Sequence, residues 1–427
     1  MNIPLLTFFL LLILLFLGAP IWLAIGIPAL IGMIDANNAT MLLNSAYAGL
    51  DSFPLMAIPF FILAGGLMEK GGISKRIVDF VKFFIGEFNG SMCVVACVAC
   101  AMFGAVSGSA IATSVCVGGI VLPTMDKEGY DRVFSAALLG VAGTIGALIP
   151  PSMNFILYGS ATGVSVGDLF IAGIIPGLLV TAILSVTAVV LSKKYNPTYV
   201  APPAQKKTFK GFLAVLKEAS LALLVPFIIL GGIYGGIFTP TEAGVVACIY
   251  AIIIACFVYK LLDFKGLCQT FLSSTKLTCQ TMFIVAIATS YARYLTLKNV
   301  PTMLSELIRS MTDKPLVFML LVVFLLLIVG TFMDVGAAMM VMAPIMHPIA
   351  MQYGIKPLQF GVVMTMALII GLTTPPVGSS LYVMASMTDL PFLDIAKKMV
   401  PFTLGYVVVM ILLILFPVLS TVLVPGA

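Results

Sequence analysis

Charge is what this sequence has least of. Asp, Glu, Lys and Arg make up 9% of its 427 residues, against about 25% in an ordinary globular chain. Another 61% is hydrophobic, and long apolar stretches carry no ionisable residue at all. About 20 such residues cross a bilayer as a helix, the one open structure that satisfies its own backbone in lipid, so a chain of this length has room for about ten spans. A soluble enzyme, a nucleic-acid binder and a secreted disulfide scaffold are all excluded. Histidine is almost missing: His347 stands alone, which leaves no way to build a His-rich metal centre or a His-based triad. Deep ionisable groups are also too few for an intramembrane enzyme, so no enzymatic activity and no cofactor are expected. Cys93, Cys97 and Cys100 share one stripe of an apolar run with no second ligand cluster, and read as small packing residues. No Lys or Arg precedes the first apolar run at 3–17, and Pro20 follows the would-be cleavage point at Ala19, so this run reads as a retained span.

What is present is a repeat. Residues 193–217 are polar, proline-bearing and lysine-rich, and are expected to be a cytoplasmic linker between two halves, 1–192 and 218–427. Ile145-Gly146 precedes Pro150-Pro151 as Ile370-Gly371 precedes Pro375-Pro376, a shift of 225. Gly104 and Ser107-Gly108-Ser109 stand opposite the run from Gly330 to Asp334, and Asp168 opposite Asp394, at shifts of 225 to 226. Matched punctuation in register marks an internal repeat.

Each half contains two early apolar runs (about 3–17 and 20–34; about 219–238 and 241–262), a third (about 53–69; about 275–296) and an amphipathic segment (about 73–88; about 300–312). A pair of short apolar arms follows (about 91–124; about 316–351), then a proline-broken span (about 133–163; about 357–388) and a last span (about 167–192; about 400–423). If the arms are re-entrant hairpins, each half crosses an odd number of times and the second half is inverted relative to the first. Basic residues accumulate on the cytoplasmic side of membrane proteins. The hairpin arrangement places 17 of the 22 there and leaves Arg293, Lys298, Arg309, Lys314 and Lys356 outside. Both termini are then non-cytoplasmic. The expected fold is an all-α integral membrane protein of inverted-topology repeats, with two re-entrant helical hairpins and two broken helices, the architecture of secondary transporters.

Polar and helix-breaking residues at membrane depth fall into two pairs. The first joins the arm tip at Ser107, Gly108, Ser109 and Thr113 to the break at Pro150, Pro151, Ser152 and Asn154. Proline pairs free carbonyls, and unwound backbone survives in the membrane only when buried in protein or lining a cavity. Neutral carbonyl, hydroxyl and amide oxygens suit Na⁺, although Gly104 and Gly108 also form a GxxxG, which could mean only close helix packing. The second pair joins Gly330, Thr331, Asp334 and Gly336 to Thr373, Thr374, Gly378 and Ser379. Asp334 lies within an apolar stretch, where a carboxylate is costly unless it has a partner. It is a cation ligand, a helix N-cap, or both. Glu242 in Thr239-Pro240-Thr241-Glu242 reads as part of a capping box, while Asp168 and Asp394 suit the first turns of the last spans. Arg293, near the outer end of an apolar span, either meets an anionic substrate or snorkels to the interface.

Ser107-Gly108-Ser109, Ile149-Pro150-Pro151-Ser152, the run Gly235-Gly236 to Ala243, and Thr374-Pro375-Pro376-Val377-Gly378 resemble the large membrane subunit of the tripartite ATP-independent periplasmic (TRAP) transporters over essentially the whole chain. Within that family the sequence looks most similar to the sialic-acid branch. The resemblance implies residence in a bacterial inner membrane and Na⁺-driven uptake of a carboxylated solute by an elevator motion. A periplasmic solute-binding protein would deliver the solute, with a separate small four-helix membrane subunit as partner. Carried over by position, it implies one Na⁺ site at Ser107, Gly108, Ser109, Pro150 and Asn154, and another at Gly330, Asp334, Thr373, Thr374 and Gly378. Substrate would lie between the tips, with Thr113, Ser152, Arg293 and Ser379 as candidate contacts. Sialic acid (N-acetylneuraminate) is the expected substrate. The alternatives are C4-dicarboxylates and a binding-protein-independent Na⁺/dicarboxylate symporter.

Overall fold

The computed structural model describes residues 3–195 and 208–426, and these are mainly helical, with no strand among them. In the first half, α1 (Ile3–Phe16) and α2 (Ile21–Asp35) precede α3 (Met41–Leu50) and α4 (Ala57–Lys70). The amphipathic α5 (Ile73–Ile85) then leads to the arms α6 (Ser91–Ser107) and α7 (Ala110–Lys127), to α8 (Arg132–Gly143) and α9 (Met153–Thr162), and to α10 (Val166–Tyr195). The second half runs α11 (Phe209–Tyr234), α12 (Pro240–Ile252), α13 (Phe264–Leu297) and α14 (Val300–Met311). Its arms are α15 (Pro315–Phe332) and α16 (Val335–Gln352), followed by α17 (Pro357–Gly371), α18 (Ser379–Thr388) and α19 (Phe392–Leu415). Among the described residues, eight helices are long and apolar enough to cross a membrane. The chain is a multi-pass, all-α membrane protein.

Three expectations need adjusting. The linker is narrower than 193–217: Lys193 and Lys194 close the last turn of α10, and α11 begins just after Thr208, whose hydroxyl accepts from Gly211 N at 3.2 Å. Lysines suit the negative end of a helix dipole, which is why a basic stretch can still be helical; residues 196–207 lie outside the described residues. Second, α3 was not anticipated, because Asn44 and Ser45 make its run look polar. Third, α13 starts at Phe264 rather than near 275, capped by Asp263, whose Oδ1 accepts from Gly266 N at 2.7 Å.

The arms and broken helices form the most buried body. Every residue of α17 after Pro357 is buried, as is all of α8 from Phe134 onward. The repeat reappears here as packing. A Cβ on Gly104 would collide with Gly146 Cα, and a Cβ on Gly371 would collide with the backbone of Gly330. Hairpin and broken helix therefore touch glycine to glycine twice, 225 to 226 residues apart, at a separation no side chain permits. Around this body lie helices with apolar outer faces, such as Leu178, Val186 and Val190 on α10 and Phe227 on α11. The long α13 packs on α2, α3 and α4 and also on α16, joining the outer helices to the inner body.

Candidate functional site

The helices break where the sequence places its proline pairs. After α8, a 3₁₀ turn at Thr144–Ala147 leads to Pro150-Pro151; after α17 the chain unwinds through Thr373, Thr374 and Pro375-Pro376. Both Pro-Pro peptide bonds are cis.

The first tip is bound tightly to its break. Gly108 ends α6 at φ +61°, and a Cβ there would strike Pro151 O. Ser109 caps α7, its hydroxyl accepting from Ala112 N at 3.4 Å. Thr113 and Ser152 are fully buried and turned inward: Thr113 Oγ1 pairs with Ser107 Oγ at 2.9 Å, and Ser152 Oγ donates to Ala147 O at 2.5 Å. These two substrate candidates hold the tip together, and the freer oxygens belong to Ser109 and Asn154, which donates weakly to Ala147 O at 3.4 Å.

At the second tip Asp334 caps α16, with its Oδ2 accepting from Gly336 N at 2.9 Å, so the capping role is real. Its side chain is nevertheless exposed, facing a cavity rather than packed apolar atoms. Gly330 lies against the carbonyl of Leu368, and Gly378 N donates to Thr331 O at 3.4 Å, tying tip to break. Thr373 and Thr374 face elsewhere. Both hydroxyls donate to Ile370 O, Thr373 also meets Thr403 Oγ1 at 3.1 Å, and both residues line a pocket of about 170 Å³ against α19. Ser379 Oγ is buried with no hydrogen-bond partner among the described residues. Its neighbour Ser380 donates to Gly140 O at 2.5 Å, fastening the second broken helix to the first.

Both tips open on one cavity of about 340 Å³, here the tip cavity. Ser109 and Asn154 line it from the first half and Asp334, Gly336 and Leu372 from the second, opposite Ile58, Ile62 and Glu69 of α4 and Leu277 and Thr281 of α13. Glu69 and Thr281 were missed in the sequence. Glu69 sits beside Lys70 at the end of an apolar run and looks like an interface charge, and Thr281 is one hydroxyl among many in α13. Among the described residues, the tip cavity is therefore lined by two carboxylates and no basic residue.

Arg293 is not there. It lines a larger cavity of about 750 Å³ between α3, α9, α13 and α16. The two cavities share no lining residue.

Comparisons with known proteins agree with this architecture. The family model for the DctM component of the tripartite ATP-independent periplasmic transporters matches residues 8–419. The C4-dicarboxylate TRAP transporter large permease protein DctM of Pseudomonas aeruginosa is 37% identical, over 87% of this chain and 86% of its own length. The sialic acid TRAP transporter large permease protein SiaM of Vibrio cholerae is 35% identical, over 95% of this chain and 94% of its own. Among solved structures, the Alcanivorax borkumensis YdaH transporter shares the fold at TM-score 0.63 and 16% identity, covering 98% of both chains. On that coverage the chain belongs to the DctM family, the large permease component of tripartite ATP-independent periplasmic transporters, and is not an enzyme.

Proposed function

We propose that this permease couples inward movement of Na⁺ to uptake of a carboxylated solute, with sialic acid as the first substrate to test and C4-dicarboxylates as the second. The carrying observation is the tip cavity, where Asp334 and Glu69 stand with no basic side chain among the described residues lining it. A carboxylate entering beside two others in a low-dielectric site meets strong repulsion. Cations held at the neutral oxygens around Ser109 and Asn154 and at Asp334 cancel that repulsion, so Na⁺ must bind before the anion. Each net positive charge carried inward gains about 2.3 kcal/mol per 100 mV, so Na⁺ in excess of the solute's charge drives accumulation. The relatives named for sialic acid and for C4-dicarboxylates have substrates with a carboxylate in common, which supports this solute class.

In this reading the linker faces the cytoplasm, both termini face the periplasm of a bacterial inner membrane, and hairpins and broken helices move together against the outer helices as an elevator. A periplasmic binding protein delivers the solute and a small four-helix subunit completes the complex. The test is uptake of labelled N-acetylneuraminate and, separately, succinate into proteoliposomes holding this chain and its small subunit. Uptake of either that requires both the binding protein and an inward Na⁺ gradient is expected. Uptake without the binding protein would favour a self-sufficient symporter, and uptake indifferent to Na⁺ would overturn the coupling.

A further inference from the structure

The two cavities carry opposite charge. Among the described residues, no acidic residue lines the larger one, and its one charged side chain is Arg293 on α13. Arg293 is exposed and forms no ion pair among the described residues. Asp35 on α2, which packs against α13, is already held by Lys298 at 2.6 Å. Asn44 and Ser45 of α3, which packs against α13, line the same cavity, and their side chains make no hydrogen bond among the described residues. An unpaired guanidinium offers a planar fork of donors matched to a carboxylate, and an amide and a hydroxyl beside it suit the hydroxyl or amide groups of a polar solute.

The larger cavity is also in line with the tips. On α13, Leu277 and Thr281 line the tip cavity and Thr289 and Arg293 line the larger one, so the two cavities follow each other along the same helix, about 12 Å apart at a rise of about 1.5 Å per residue. On α9, Leu157 and Ser160 belong to the two cavities and lie one turn apart. Ser52 and Ser160, both on the wall of the larger cavity, are hydrogen-bonded at 2.9 Å.

We propose that the larger cavity is a second solute site, a vestibule that receives a carboxylated solute on Arg293 without Na⁺ before the solute passes to the tips. This rests on the carboxylate reading above but not on the Na⁺ coupling. The vestibule holds an anion with its own cation, whereas the tip cavity must first acquire one.

The experiment is binding of N-acetylneuraminate and of succinate to the complex of this chain with its small subunit, in choline chloride with no Na⁺ and no binding protein. Binding of at least one is expected. Arg293→Gln should weaken it at least tenfold, Arg293→Lys by less, since the charge remains but the fork is lost, and Asn44→Ala should give a smaller, few-fold loss as an independent check on the cavity wall. In uptake, Arg293→Gln should raise KM without moving the Na⁺ concentration for half-maximal rate. No Na⁺-free binding of either solute overturns the vestibule. So does an Arg293→Gln defect seen only with the binding protein present, which would make Arg293 a docking contact. If wild-type uptake instead ignores Na⁺, the coupling fails, and Na⁺-free binding that depends on Arg293 still supports the vestibule.

Discussion

The segment from α3 to α4 and the helix α13 occupy matching places in the two halves, and they run between the two cavities in opposite directions. Going along α3 and α4, Asn44 and Ser52 line the larger cavity, then Ile58, Ile62 and Glu69 line the tip cavity. Going along α13, Leu277 and Thr281 line the tip cavity first, then Thr289 and Arg293 line the larger one. An inverted repeat requires this reversal. The halves differ in two respects. α13 is continuous where its counterpart is interrupted at Asp51 and Ser52 and resumes through a 3₁₀ turn at Phe53–Met56. And where the first hairpin caps its second arm with Ser109, the second uses Asp334, 225 residues on. Shared backbone contacts thus support a neutral tip on one side and a charged one on the other.

The shared part should be the least tolerant of change. Gly371→Ala places a methyl group against the backbone of Gly330, and backbone cannot rotate aside as a side chain can. Overpacking of this kind costs about 1–3 kcal/mol or more. The complex should melt well below wild type, and Gly104→Ala should do the same through Gly146. A normal melting temperature for either would mean that the hairpins do not sit on their broken helices as described.

The charged part separates from the shared part in Asp334→Ser. Serine still offers an oxygen to Gly336 N, so the cap persists and stability should change by less than about 1 kcal/mol. Uptake at moderate Na⁺ should nonetheless fall at least about tenfold, a change of about 1.4 kcal/mol in transition-state or binding free energy, with half-maximal rate reached only at higher Na⁺. Unchanged Na⁺ dependence would reduce Asp334 to a cap and make the two tips equivalent in function.

Much of this was legible in the sequence because helix-breaking residues are local signals. Pro150-Pro151, Pro375-Pro376, Gly108 and Gly378 mark breaks wherever they fall, and the 225-residue offset between the two proline pairs exposes the repeat. Which way a hydroxyl points is not a local signal. Thr373 and Thr374 lie beside the second break as expected, yet the partner that orients Thr373 is Thr403 on α19, distant in sequence. Thr113 and Ser152 are likewise consumed by the tip's own hydrogen bonds. Arg293 was ambiguous and Glu69 was missed for a related reason: a charge at the end of an apolar run looks the same whether it meets lipid headgroups or a cavity, and only the packing of α3 and α4 against α13 separates the two. The polar run of α3 was unreadable as a helix for the reason that makes it useful, since its Asn and Ser residues face a cavity.

The interruption in the first half offers the finest test. Ser52 sits at the break, and its hydroxyl meets that of Ser160 on α9 at 2.9 Å, partly buried, while its counterpart Leu277 in the continuous α13 faces the other cavity with no polar group to offer. Removing one neutral hydrogen bond of this kind costs about 0.5–1.5 kcal/mol. Ser52→Ala should therefore lower the melting temperature of the complex only slightly, far less than Gly371→Ala. Because Ser52 lies on the wall of the larger cavity and not among the tip oxygens, the Na⁺ concentration for half-maximal uptake should stay where it is. If that concentration moves, the break between α3 and α4 is part of the ion site, and the first half contributes to coupling through its outer helices as well as through its hairpin.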